Sequence, residues 1–309
     1  MCGAMRRFLL LLALASTACS ASSSHAGPTA DAATASDSAS TTGDDAGDEA
    51  AAPCSAPPSM RPEGGTCVLE ATGTVEDLSG TTLPDLVMTM CSPAICYGSR
   101  ANDAGVYTIP VGDFIDTAEY AVHADGRPDH AVDYHRLAGG EPQVIDVDMH
   151  IPALPPSTVS LPPDDAGAPT SVTEGDVTLQ VAAGTSFNLD VEDYGIPAGR
   201  LLRVVLVPLA SAPSYAAANS VAAIYAMAPS GAAPSQPMGV ILRNAAAIPA
   251  SAGVDFLVLS DNYFDTPPTV GQLLVEATGH VSADGTTIST DPGQGITEIT
   301  WLAVRPNGK

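Results

Sequence analysis

Lysine is almost missing from this chain. Lys309 is the only one in 309 residues, and 11 basic residues face 35 acidic ones, for a formal net charge of −24. A phosphate-binding P-loop and lysine-based catalysis are therefore excluded from the body of the protein. Nucleic acid is excluded as a partner, because phosphate contacts need a basic surface. Docking on anionic lipid through a basic patch is excluded for the same reason. Aromatic residues make up only 5%, with a single Trp. Long helices are disfavoured by 28 Gly and 27 Pro, which interrupt regular structure. No apolar run after the N-terminus is long enough to span a bilayer: the stretch 201–227 is broken by Arg203, Pro208, Pro213 and Asn219. There is no HExxH helix, no GxSxG elbow and no GxGxxG turn.

The N-terminus carries an export signal. Arg6 and Arg7 precede an apolar core from Phe8 to Ala15, too short to cross a membrane. Ser16-Thr17-Ala18-Cys19 follows. This resembles the lipobox of bacterial lipoproteins, with Ser16 where Leu is commonest. The resemblance implies a signal peptide over residues 1–18, cleavage before Cys19, and a lipid on Cys19 that anchors the chain to membrane. The competing expectation is ordinary cleavage near Ala18 and a soluble secreted product. Ser20, in place of the Asp that retains many lipoproteins on the inner membrane, implies the outer membrane, periplasmic or surface-exposed. Residues 20–53 contain no aromatic, Val, Leu or Ile and hold six acids. With nothing to offset the entropy of ordering, residues 19–53 are expected to be a disordered acidic tether with a reach of about 30 Å.

Four cysteines remain for the folded body: Cys54, Cys67, Cys91 and Cys96. An even set in an exported chain reads as two disulfides. Of the three pairings, Cys54–Cys67 and Cys91–Cys96 are preferred, because both close short local loops and Pro93 suits a turn. A four-cysteine metal site is the rival, but it lacks Cys-x-x-Cys knuckles.

Residues 54–155 alternate in short runs between Gly, Pro and Asp turns, the pattern of an antiparallel β-sandwich. The clearest strand has Ile145, Val147 and Met149 on one face and Asp146, Asp148 and His150 on the other. The succession Gly73-x-Val75, Leu83-Pro84, Asn102-Asp103-Ala104-Gly105-Val106-Tyr107 and Tyr120-Ala121-Val122 resembles the carboxypeptidase regulatory-like (transthyretin-like) domain. Asn102 stands where that family usually has Thr. The resemblance covers about 80 residues. It implies a non-catalytic β-sandwich module of an exported protein, of a kind in which some relatives bind carbohydrate. In the turn, Asp103 is expected to bond its downstream amides and Gly105 to take a positive φ.

Residues 156–170 form a Pro/Asp/Gly-rich linker, and residues 171–309 read as a second sandwich. Strands are expected at 176–181, 186–191, 201–209, 222–227, 237–242, 254–260, 272–280, 286–290 and 295–304. Ala216 to Ala223 has the alternative of a helical turn. Trp301 is expected to anchor the core, with a ligand platform as the other possibility. The fold expected is thus all-β, two tandem antiparallel β-sandwiches after a disordered tether.

Two groups of residues have chemistry to offer. His123, His130, His135 and His150 lie among aspartates in the first region and have the donor types of a zinc or copper site. His123 and His150 face outward by alternation. Asp261, Tyr263, Phe264 and Asp265 mix acids with aromatics, which suits sugar stacking or calcium, without the glycine and terminal glutamate of an EF-hand. No catalytic set is present. The expected job is that of a non-enzymatic, lipid-anchored binding, adhesion or structural module of the cell envelope, with an unidentified glycan or protein partner. The alternative is an accessory carbohydrate- or metal-binding protein.

Overall fold

A computed structural model describes residues 54–308. The expected signal peptide, Cys19 and the expected tether lie outside the described residues. Among the described residues no helix is long and apolar enough to cross a membrane. The protein is all-β, built of two sandwiches that belong to one compact unit.

The first sandwich contains β1 (Thr66–Glu76), β2 (Val87–Cys91), β3 (Cys96–Arg100), β4 (Val106–Ile115), β5 (Ala121–Asp125), β6 (Val132–Arg136), β7 (Val144–Asp146) and β8 (Met149–His150). One sheet runs β4-β1-β7, with β8 also paired to β1; the other runs β3-β2-β5-β6. Period-two burial sends Val75, Met88, Met90, Tyr107, Ile109 and Val122 into a common core. One feature departs from the antiparallel expectation: β7 and β8 pair parallel to β1. Residues 137–143 carry the chain from one sheet to the other, so the returning strand is not bound to a hairpin partner. The disulfides are Cys54–Cys67 and Cys91–Cys96. The second ties facing residues of the β2–β3 hairpin. In the turn before β4, Asn102 rather than Asp103 does the bonding: its Oδ1 accepts from the amides of Ala104 (2.9 Å) and Val106 (3.1 Å). Gly105 has φ +72°, and a Cβ there would lie 2.8 Å from the Val75 carbonyl oxygen.

The second sandwich adds β9 (Thr170–Glu174), β10 (Val177–Val181), β11 (Phe187–Asn188), β12 (Arg203–Val207), the short helix α1 (Ser214–Ala218), β13 (Ala223–Ala228), β14 (Ala233–Pro234), β15 (Gly239–Arg243), β16 (Gly253–Leu259), β17 (Leu273–Val281), β18 (Thr287–Thr290) and β19 (Trp301–Pro306). Its layers are the halves of one nine-stranded sheet, in the order β12-β13-β19-β16-β17-β18-β15-β10-β9. All nine strands contribute to one core, so the sheet curls nearly into a barrel. The stretch 156–170 lies along this sheet. Leu161 is in the core, and its amide donates to the Arg200 carbonyl oxygen at 2.8 Å.

The central strands explain the apolar runs. Tyr225, Met227, Phe256, Val258, Leu302 and Val304 enter the core of the second sandwich. Their neighbours Ile224, Ala226, Leu257, Leu259, Trp301 and Ala303 face the other way into a separate core shared with Ala131 and Leu154 of the first sandwich. A sheet covered on both faces needs apolar residues at every position rather than alternate ones. Trp301 sits in this shared core, and its Nε1 donates to the Val132 carbonyl oxygen at 2.7 Å. Arg136 donates to the Pro268 carbonyl oxygen and Arg203 to that of Pro128, so polar links edge the same contact.

Candidate functional site

The contact between the sandwiches gathers charge around one cation. Arg127 follows the end of β5, where its side chain forks onto Asp125 (Nε–Oδ1 2.9 Å, Nη2–Oδ2 2.7 Å). Nη1 donates to Asp190 Oδ2 at 2.9 Å, and Glu192 and Asp193 lie 3.6 and 3.5 Å from the guanidinium. Burial opposes the charges here, but the Arg127 hydrogen bonds prevail: the guanidinium is pushed up and the Asp125 carboxyl held below its usual range. Asp190 is also held low against its burial, by hydrogen bonds with Glu192 and Arg127. Glu192 is pushed up by its hydrogen bond with Asp190, and Asp193 by burial. One guanidinium thus serves four carboxyl groups.

A second acidic group adjoins the first at Gly231, which has φ +75°. A Cβ at this position would lie 3.6 Å from Asp261 Oδ2 and 3.7 Å from Asp190 Oδ2. Glu298 is pushed up to about 9 by burial, then by the Asp261 charge and their mutual hydrogen bond. Burial also raises Asp261 and Glu276. At neutral pH Glu298 is therefore protonated and Asp261 accepts its hydrogen bond. Glu298 Oε1, the Tyr263 hydroxyl and His123 Nε2 are buried without a hydrogen-bond partner.

An aromatic stack borders this region. His123 and Tyr134 face each other across β5 and β6 and stack with centroids 4.6 Å apart. Tyr263 meets Tyr134 edge-on at 6.4 Å. Alternation does place His123 on the outer face of its sheet. That face is partly covered, however, so the ring is half-buried and its Nε2 is shielded from solvent. Its Nδ1 lies 3.3 Å from Thr89 Oγ1, and burial pushes its pKa down to about 4.

From this bordered cluster two loops reach outward. Val191 and Tyr194 on one are each 78% exposed, and Phe264 on the other is 80% exposed. Asn262 Oδ1 accepts from the Phe264 amide at 2.8 Å, and Asp265 Oδ2 accepts from the Thr269 hydroxyl at 2.8 Å. Of the acid–aromatic set expected from sequence, Asp261 and Tyr263 are built into the junction. Phe264 is presented to solvent, and Asp265 braces the loop.

The histidines do not gather. His135 and His150 border a cavity of about 210 Å³ together with Asp133, Asp148 and Tyr215. His150 Nδ1 lies 4.0 Å from Glu76. His130 stands apart, in a bridge to Ala153. His123 lies on the opposite face of the sheet from His135, because His123 pairs with Tyr134, the residue next to His135. Among the described residues no group of three or more His, Cys, Asp or Glu side chains is placed to hold a metal ion. The expected zinc or copper constellation of His123, His130, His135 and His150 is thus dispersed over the fold.

Asp133 is the most deeply buried acid of the junction, 4% exposed. It accepts from the Tyr215 hydroxyl at 2.7 Å and from the Tyr134 amide at 2.9 Å, yet burial still pushes it up to about 7. Arg127, Tyr134, Tyr194 and Glu298 were not singled out from sequence. The available signal was Arg127 itself, one of few cations, placed directly after Asp125-Gly126 in an acid-rich chain.

No known protein family matches the sequence, and no curated protein matches it. Among solved structures, similarity is found to a "putative carbohydrate binding protein" from Bacteroides uniformis. The identity is 8% and the TM-score 0.21, over 77% of this chain and 79% of that one.

Proposed function

We propose that the protein is a non-enzymatic, lipid-anchored binding module of the bacterial cell envelope, with carbohydrate as its ligand. The first sandwich is read as a carboxypeptidase regulatory-like domain. Cys19 carries the lipid, and the acidic tether holds the paired sandwiches off the outer membrane. The observation that carries the ligand class is the pair of loops bearing Tyr194 and Phe264. They present nearly bare aromatic rings beside a fixed group of carboxylates. Flat apolar faces next to hydrogen-bond acceptors suit the CH faces and hydroxyls of a sugar. Large exposed aromatic side chains of this kind are otherwise unfavourable in a chain with so few aromatics.

On a glycan array the full chain is expected to retain a subset of sugars. Phe264→Ala and Tyr194→Ala are each expected to weaken that binding about tenfold or more. Retention unaffected by both substitutions would refute the loops as the site. Release of reducing ends from a bound glycan, abolished by Glu298→Gln, would refute the non-enzymatic reading. Cys19→Ala is expected to move the protein from the membrane fraction to the soluble fraction; an unchanged distribution would remove the lipid anchor.

A further inference from the structure

The second sandwich carries an open cleft of about 770 Å³, which shares no residue with the Tyr194 and Phe264 loops. Its floor comes from β10, β15 and β18, each hydrogen-bonded to a strand on either side, and from β9 at the end of the sheet. Side chains of Ser171, Gln180 and Ser289 project into it, and Gln236 and Gln294 come from its rims. Pro169, Pro237 and Pro292 supply apolar edges, with Ile241 in the floor.

Charge separates this cleft from the rest of the surface. In a chain with 35 acidic residues, Asp291 is the one ionisable side chain lining it. Asp291 is already engaged, by His280 Nδ1 at 2.9 Å and the Thr278 hydroxyl at 2.8 Å. By contrast, the side chains of Gln180, Gln294, Ser171 and Ser289 make no hydrogen bond among the described residues. Amides and hydroxyls that donate and accept, spaced between CH-rich walls, match a ligand with many hydroxyls and no net charge. An anionic chain would find no cation here, and a cationic one no free carboxylate.

Gly239 keeps the floor open. A Cβ there would lie 2.8 Å from the Gln180 side-chain oxygen and 3.5 Å from Thr290 Oγ1. β10, β15 and β18 offer an extended peptide no free edge, since each is paired on both sides. β9, which brings Thr170 and Ser171 to one side of the cleft, ends the sheet, so the peptide arm of the test below addresses strand addition there.

We infer that this cleft is a second binding site, taking a neutral oligosaccharide chain along the outer face of β10, β15 and β18. The assignment rests on the carbohydrate reading for its ligand class, but on different residues. It predicts that binding survives loss of the exposed loop aromatics.

The test is isothermal titration of the full chain with cellohexaose, xylohexaose, mannohexaose and laminarihexaose, and with a polar hexapeptide. At least one hexasaccharide is expected to bind saturably. The double variant Gln180→Ala/Gln294→Ala should weaken it about tenfold, and Gly239→Leu should abolish it, with thermal melting unchanged in the first. Phe264→Ala should leave this binding within about twofold. Binding lost in Phe264→Ala but unchanged in the cleft variants would overturn the inference and leave the loop reading standing. Binding lost in the cleft variants alone would uphold it and refute the loops as the main site. Failure of every hexasaccharide, or binding of the hexapeptide alone, would overturn the inference; the loop reading is decided separately by the glycan array.

Discussion

Replacing Trp301 with Ala is expected to cost about 3 to 5 kcal/mol of folding stability. The ring is 1% exposed and lies in the core shared by the two sandwiches, edge-on to Tyr215 with centroids 6.1 Å apart. Its removal leaves a cavity lined from both sandwiches and strips the Val132 carbonyl oxygen of its donor. A buried carbonyl without a partner adds its own desolvation cost. Urea unfolding is the appropriate measurement, and Trp301→Phe separates the two contributions. The Phe variant restores most of the apolar volume but not the N–H donor, so it should fall between the wild type and Trp301→Ala. A loss below about 1 kcal/mol in the Ala variant would show that the shared core does not stabilise the pair.

The second large effect is a dependence on pH that runs opposite to acid denaturation. Burial raises Asp133 from 3.8 to about 7 and Glu298 from 4.5 to about 9. The folded state therefore binds more protons than the unfolded state between about pH 4 and each raised value. Stability from these groups is fully present below pH 4 and is lost as pH rises through 7 and then 9. For Asp133 the three-unit rise corresponds to about 4 kcal/mol between the two limits. Asp125 and Asp190, held low by Arg127, act in the other direction and lose their contribution only in stronger acid.

The combined expectation is greatest stability in mild acid, with decline toward pH 9. Asp133→Asn keeps an acceptor for the Tyr215 hydroxyl and cannot ionise. It should leave stability at pH 4 nearly unchanged, raise it by a few kcal/mol at pH 8, and flatten the slope between them. Equal effects of the substitution at both pH values would show that Asp133 does not titrate in that window.

Local features of this protein were legible from residue order because their physics is local. Cys91 and Cys96 are separated by a four-residue hairpin loop, so loop closure alone favours their pairing. The alternation around Ile145 and Val147 identified a segment with one buried face, although it forms two short strands, β7 and β8, broken at Val147 and Asp148, and Gly105 marked a turn that needs a positive φ. The turn's hydrogen bonds moved by one residue, from Asp103 to Asn102, because either short polar side chain can serve and the backbone path selects between them. The expected strand at 186–191 shrank to two residues, since the loop that follows is drawn toward Arg127 by Asp190 and Glu192.

Contacts between distant residues were not legible in the same way. Arg127 and Asp190 are 63 positions apart, and Trp301 and Val132 are 169 apart. Neither pair leaves a mark on the spacing of nearby residues. His123 shows the consequence most directly: its period-two position correctly put it outside the first core, but stacking on Tyr134, which itself meets Tyr263 of the second sandwich, leaves it half-buried with its Nε2 covered. Glu298 and Asp133 look like ordinary surface acids in the chain, and burial at the junction is what raises their proton affinity. Composition and local periodicity were sufficient for an all-β body with two local disulfides, because turns and strand faces depend on near neighbours. The shared core, the parallel return of β7 and β8, the scattering of the histidines and the neutral cleft were decided by tertiary packing. Which faces meet is a property of long-range contacts, and those contacts set the desolvation that tunes every buried charge.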